Sequence, residues 1–364
     1  MLAELLTPAC IWNSFRSSRK KHLILTGGRK TGKTTLLSRL FPEETAGITT
    51  WAVPGECVFL KENRTKRTVW VGTFDGALKG EENKMRLCRE GFLGLGLSAL
   101  HSCMESDEEW ITVDEIGYLE TECPEYGEAL LRLMEKKRVA AVVRKQKLPF
   151  LQSLCTRDDV FLVDLDEPFG KSGCVIMASG LGKRFGSNKL MADFDGKPMI
   201  ERALIATDGI FSERVVVTRS EEVALYCEKR GVRVILHSLP NRNDTVRLGL
   251  LAMAETDGCL FCPGDQPLLS RKTVAALALA ARNDKTGIFR PAYGETEGAP
   301  VLFPRSVYGE LLKLPEGKGG GAVIKKHPDL LCRITAENPY ELMDADTPEQ
   351  LASLLSQIRC QQSR

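Results

Sequence analysis

Residues 22–37, HLILTGGRKTGKTTLL, decide the fold. An apolar run of strand type ends at Thr26, a glycine-containing turn follows, and a helix begins near Lys33. The turn fits G-x-x-x-x-G-K-[ST], with Gly27, Gly32, Lys33 and Thr34 at the defining places. Glycines let backbone N–H groups turn inward around a β-phosphate, the lysine bridges β- and γ-phosphates, and the threonine hydroxyl reaches Mg²⁺. The following helix adds the positive end of its dipole. Gly28, Arg29, Lys30, Thr31 and Thr35 complete the candidate nucleotide contacts. Strand before and helix after separate this pattern from a chance glycine turn.

Further along, WITVDEIGYLE (residues 110–120) sets Asp114 and Glu115 at the end of an apolar strand. Two acids there can simply be solvated or cap the next helix. With the loop upstream they form a Walker B element. Asp114 is then a metal ligand, holding Mg²⁺ through water, and Glu115 orients or deprotonates the water that attacks. The combination of ILTGGRKTGKTTLL with VDEIGYLE resembles small P-loop nucleoside-triphosphatases whose Walker B reads DEIG, with a later acid matched by Glu120. The resemblance covers roughly residues 20–168 and implies slow hydrolysis of ATP, GTP and other NTPs with Mg²⁺. Arg29 and Lys30 replace the small residues usual before GKT.

Strand-type and helical runs alternate along the whole chain, which points to α/β architecture with parallel sheets. GEALLRLMEKK, RVAAVVR and DVFLVDLD continue the first domain as helix, strand and strand. EPFGKSG, Glu167 to Gly173, reads as a linker. The alternation then restarts with CVIMASG as a strand, and MASGLGKRFGSNK (Met177–Lys189) is a second glycine-rich loop. It lacks GKT, so its chemistry differs. Ala178, Ser179, Gly180, Gly182 and Gly186 allow close backbone approach to a triphosphate. Arg184 offers a fork to phosphate oxygens, and Lys189 a point charge near the α-phosphate. Asp265 ends the apolar strand GCLFCPGD, placed to hold Mg²⁺ or to form the turn before Pro267. Asp344 and Asp346 precede a helix; Asp346 suits metal binding and helix capping alike.

VIMASGLGKRFGSNKL, GKPMIERAL, GDQPLL, GAPVLF and DADTPEQL, in that order over roughly residues 173–357, resemble the MobA-like nucleotidyltransferases. Ala-Ser-Gly, the single glycine after Arg184-Phe185, and GDQP resemble molybdenum cofactor cytidylyltransferases more than the guanylyltransferases. The resemblance implies transfer of CMP from CTP to a molybdopterin-type acceptor with release of pyrophosphate. Mg²⁺ on Asp265 would neutralise charge, and Arg184 and Lys189 would stabilise the leaving group. Asn243 and Thr245, in NRNDTVRLGL, fall where the family meets ribose and base. Gly298-Ala299-Pro300 stands where cytidylyltransferases often show Gly-His-Pro, and EGKGGGAV (Glu316–Val323) departs from a Gly-Asp-x-Gly turn. Both lie on the acceptor side. Lys318 sits in either a lid or a surface turn.

The expected protein therefore has two doubly wound parallel-sheet domains, a P-loop NTPase and a Rossmann-like nucleotidyltransferase. Residues 1–19 form a lead-in, 20–168 the first domain and 173–364 the second. Other readings keep the transferase but change the acceptor to a sugar phosphate or another phosphorylated precursor, or make the first domain an NTP-driven switch for delivering cofactor to an apo molybdenum hydroxylase. The net charge of +2 offers no global field for nucleic acid, and no apolar run reaches membrane-spanning length. The basic run Arg16–Lys21 reads as a solvated approach to the first strand. Twelve scattered cysteines show no zinc spacing, and Cys259-Leu-Phe-Cys262 reads as strand core. Reduced cysteines without an export signal point to the cytoplasm.

Overall fold

A computed structural model of the chain describes residues 4–76, 85–180, 185 and 188–362. These residues form two compact units, Arg19–Pro168 and a second made of Met1–Ser18 with Phe169–Arg364. Each unit is built on an eight-stranded sheet.

In the first unit the strands are β1 (His22–Thr26), β2 (Gly47–Val53), β3 (Cys57–Glu62), β4 (Thr68–Phe74), β5 (Met85–Leu87), β6 (Trp110–Ile116), β7 (Arg138–Val143) and β8 (Val160–Asp164). Their order is β5-β4-β3-β2-β6-β7-β1-β8. The run β2-β6-β7-β1-β8 is parallel. β1 is buried along its whole length, as a central parallel strand covered on both faces must be. Strands β3 to β5 extend the sheet in antiparallel fashion. Sequence reading assigned nothing to this stretch, although β3 alternates strictly between half-buried and buried residues. The parallel strands align their carboxyl ends on one edge, and helix α2 (Lys33–Leu40) leaves β1 from that edge.

The second unit has β9 (Ser172–Ala178), β10 (Glu213–Thr218), β11 (Arg233–Leu236), β12 (Gly258–Pro263), β13 (Ile288–Tyr293), β14 (Thr296–Glu297), β15 (Val301–Pro304) and β16 (Leu331–Thr335). The path β11-β10-β9-β12-β15-β13-β14 holds the sheet, with β16 beside β13. β11 to β12 are parallel, and β15 pairs antiparallel with both β12 and β13. After β9 the chain builds outward through β10 and β11, then returns to place β12 on the other side. The switch point between β9 and β12 opens a crevice at their carboxyl ends. Cys259 and Cys262 are both buried in β12, and burial pushes the Cys262 thiol up to about 12.

Within residues 1–19, expected as a lead-in, the chain is helical and packed. Residues Pro8–Ser17 form helix α1, capped by the Thr7 hydroxyl, which accepts from Cys10 N at 3.2 Å. α1 belongs to the second unit. Ser14 Oγ donates to Ala276 O at 2.9 Å, and Asn13 exchanges hydrogen bonds with both backbone groups of Thr335, at 2.8 and 3.0 Å. Ile11 and Phe15 are buried beside these contacts. Lys20 and Lys21 in turn donate to main-chain carbonyls of Asp158, Met134 and Glu135 in the first unit. Part of the basic run thus caps a helix end, since Met134 and Glu135 lie in the last turn of the helix Pro124–Lys136. Ile11→Ala removes a fully buried side chain and should cost about 2–5 kcal/mol. Denaturant unfolding of the full chain should show the second unit's transition at lower denaturant while NTP hydrolysis stays unchanged. An unshifted transition would mean α1 contributes nothing to that unit.

Candidate active sites

The first site lies on the carboxyl edge of β1, β7 and β6. Gly27 to Thr31 form the loop after β1, Gly32 caps α2, and Lys33, Thr34 and Thr35 make the helix's first turn. Gly32 has φ +90°, a left-handed conformation that favours glycine, so the loop's reversal into α2 depends on it. Lys33 Nζ donates to Gly27 O at 3.0 Å and Gly28 O at 2.6 Å, which holds the loop closed around its own ammonium. Burial lowers the Lys33 ammonium from its ordinary value. Thr34 Oγ1 donates to Asp114 Oδ1 at 3.1 Å. That hydroxyl and carboxylate face one another as a Mg²⁺ ion would need, since this ion takes few protein oxygens and leaves room for phosphates and water. Burial pushes the Asp114 carboxyl up to about 6, partly opposed by the Thr34 hydrogen bond.

Glu115 forms an ion pair with Arg144. Glu120 points inward and accepts from Gly117 N at 2.7 Å, and burial pushes its carboxyl up to about 7. It therefore braces the strand end after the acids. A raised carboxyl favours the protonated fold, so its contribution is fully present below the ordinary value of 4.5 and lost as pH rises through about 7. Glu120→Gln should remove that share of the loss and make the first unit's stability less steep in pH between about 5 and 8, the raised Asp114 carboxyl keeping the rest. Melting curves across that range decide it, and parallel wild-type and variant profiles would contradict it.

Sequence reading missed the residues that close this site. Asp166 accepts from Gly28 N through Oδ2 at 3.0 Å, and Lys145 Nζ pairs with Asp164 and Asp166 at 2.9 and 3.0 Å. The Arg144-Lys145 pair after one strand and the two aspartates ending another were the available signals. Arg29 and Lys30 are exposed on the loop.

The second site occupies the β9/β12 switch point. Ala178 is the buried last residue of β9. Ser179 is anchored by its hydroxyl, 3.1 Å from Val217 O and 2.8 Å from His237 Nε2, and by its carbonyl, which accepts from Arg219 Nε at 2.8 Å. Gly180 follows; Gly182, Arg184 and Gly186 lie outside the described residues. Lys189 is buried, and its Nζ lies 2.5 Å from Asp265 Oδ2 and 2.8 Å from Asp346 Oδ1. Burial alone would lower this ammonium, but the two carboxylates outweigh it and hold it above its ordinary value. Two acids, 81 residues apart in sequence, thus converge on one cation, and the same pair of carboxylates could hold a Mg²⁺ ion. Asp344 accepts from Gln266 Nε2 at 3.0 Å, and burial, then the Asp265 charge, raises its carboxyl. Ala345 N donates to Asp265 O at 2.9 Å, pinning the two acidic segments together.

Asn243 and Thr245 lie in the first turn of the helix Arg242–Ala252. Thr245 is buried, while Asn243 Oδ1 accepts from Gly317 N at 3.0 Å. Asn241 Nδ2 also donates to Glu316 Oε1 at 2.9 Å. Lys318 N donates to Pro315 O at 3.1 Å, so the segment forms a turn docked on this helix. A cavity of about 70 Å³ brings together Met177, Arg242, Ala299, Phe303 and Gly320. Both departures from the cytidylyltransferase pattern therefore border one space.

Among the described residues, no helix is long and apolar enough to cross a membrane. Residues 174–330 match the MobA-like NTP transferase domain, and residues 22–168 match an NTPase family. A probable molybdenum cofactor guanylyltransferase of Bacillus velezensis is 32% identical over 192 residues, covering 50% of this chain and 94% of that protein. One of Natranaerobius thermophilus, with the same name, is 31% identical over 121 residues; the match covers 32% of this chain and only 58% of that relative's length. A solved nucleotidyl transferase from Methanothermobacter superposes with TM-score 0.46 at 23% identity, over 52% of this chain and 99% of its own.

Proposed function

We propose that this chain, which belongs to the MobA-like NTP transferase family through its second unit and carries an NTPase domain before it, transfers a nucleotidyl group to a molybdopterin-type acceptor and separately hydrolyses NTPs. The convergence of Asp265 and Asp346 on buried Lys189 at the switch point supports the first activity most directly. An acceptor phosphate oxygen attacks the α-phosphorus in line, and the bond to the departing pyrophosphate breaks. No protein nucleophile is needed; positioning and charge do the work. Asp265 and Asp346 would hold Mg²⁺, which when bound supplies positive charge to the triphosphate. Lys189, released from its carboxylates, then faces the phosphates. The cavity bordered by Arg242, Ala299 and Gly320 is the proposed acceptor pocket.

The loop pattern Ala178-Ser179-Gly180 favours CTP as donor, and the names of the relatives favour GTP. Anaerobic incubation of the full chain with molybdenum-loaded molybdopterin, Mg²⁺ and each NTP in turn distinguishes them. Pyrophosphate release that needs the pterin and is fastest with CTP supports the first donor; fastest with GTP supports the second. Equal release with and without the pterin would remove the acceptor assignment.

A further inference from the structure

We propose that Arg144 is the γ-phosphate-binding cation of the first site, held on Glu115 until a nucleotide arrives. This rests on the reading of that site as a hydrolase. Arg144 directly follows β7, the strand lying between β1, which carries the phosphate loop, and β6, which carries Asp114 and Glu115. Its backbone N donates to Ile116 O at 2.9 Å, so its side chain starts from the same edge as both motifs. The guanidinium pairs with Glu115.

Gly117 leaves room for this placement. Its φ of −139° is extended backbone open to any residue. Yet a Cβ there would come within 2.9 Å of Arg144 Cδ and 3.3 Å of Nε. A larger residue at 117 would press on the arginine side chain and displace it from this position. Lys33 and Arg144 both stand at this edge of the sheet, and the second is paired with Glu115. An incoming γ-phosphate offers the guanidinium an alternative anionic partner.

The resting pair also blocks the chemistry. In hydrolysis a water oxygen bonds to the γ-phosphorus and the bond to the bridging oxygen breaks. The electron pair leaves with the nucleoside diphosphate, and the water proton goes to a carboxylate. In the resting pair the guanidinium occupies the Glu115 carboxylate that faces the site. Transfer of Arg144 to the γ-phosphate frees the carboxylate and sets a planar fork against oxygens that gain charge in the transition state. One movement thus couples nucleotide arrival to activation of the base.

The test compares wild type, Arg144→Ala and Arg144→Lys in NTP hydrolysis and in binding of Mg·ADP with and without aluminium fluoride. The expected loss in kcat for Arg144→Ala is on the order of a thousandfold, with lysine restoring only part. Mg·ADP affinity should change less than about threefold, while capture of ADP–aluminium fluoride should be lost, because only the latter presents a γ-phosphate mimic. A bracing role alone would weaken both complexes alike and so overturn the proposal. Hydrolysis by Arg144→Ala at near the wild-type rate would overturn it too. If wild type itself releases no phosphate from any NTP, the hydrolase reading fails first, and the role of Arg144 falls with it.

Discussion

Lys33→Ala is expected to abolish phosphate release from NTPs while leaving pterin-dependent pyrophosphate release near the wild-type rate. Removing one charged group aimed at the transferring phosphoryl costs roughly a hundredfold to a thousandfold. The structural work of Lys33 is local to the loop it closes. Among the described residues its ammonium donates to the Gly27 and Gly28 carbonyls and, marginally, the Thr31 hydroxyl. The contacts that seat α2 come from Leu36, Leu37 and Leu40, which the substitution leaves alone. The two releases should be followed on one preparation. Loss of both in a folded protein would contradict two independent sites, and loss of neither would remove the phosphate loop from the reaction.

Asp265→Asn should have the reverse effect: nucleotidyl transfer down by a hundredfold or more, NTP hydrolysis unchanged. The amide keeps the size of the side chain but loses the charge that a metal and Lys189 share. Asparagine is the better test than alanine, because leaving a buried cation short of a partner destabilises the fold as well as the chemistry. Asp346 still faces Lys189 in the variant, so the site keeps one ion pair. A folded Asp265→Asn protein with wild-type pyrophosphate release would exclude Asp265 from the transfer.

The parts legible in sequence are those whose chemistry is local. Gly27 to Thr34 lie in one loop and the helix turn after it, Asp114 and Glu115 at one strand end, and Asp265 just past another, so spacing alone was enough to single them out as candidates. The missed parts depend on strand order. Arg144 meets Glu115 because β7 lies beside β6, and Asp166 meets Gly28 because β8 lies beside β1. Neither adjacency is written in the spacing. Helix α1 joins the second unit through Ser14 and Ala276, separated by 262 residues, so nothing near it in sequence announces its partner. The antiparallel extension β3 to β5 was missed for a different reason. Its half-exposed strands lack the continuous buried apolar run that marks β1 or β7.

By this proposal the chain's two sites direct attack at different phosphorus atoms, γ at one and α at the other. Running the complete reaction, with acceptor, in water enriched in ¹⁸O separates them, because the label records where water enters. The expected result is one ¹⁸O atom in the inorganic phosphate and none in the new phosphate–phosphate linkage of the nucleotidylated product, whose oxygens come from donor and acceptor. Inorganic phosphate without label, or nucleoside monophosphate carrying it as the main product in place of the linked nucleotide, would overturn the assignment of two sites.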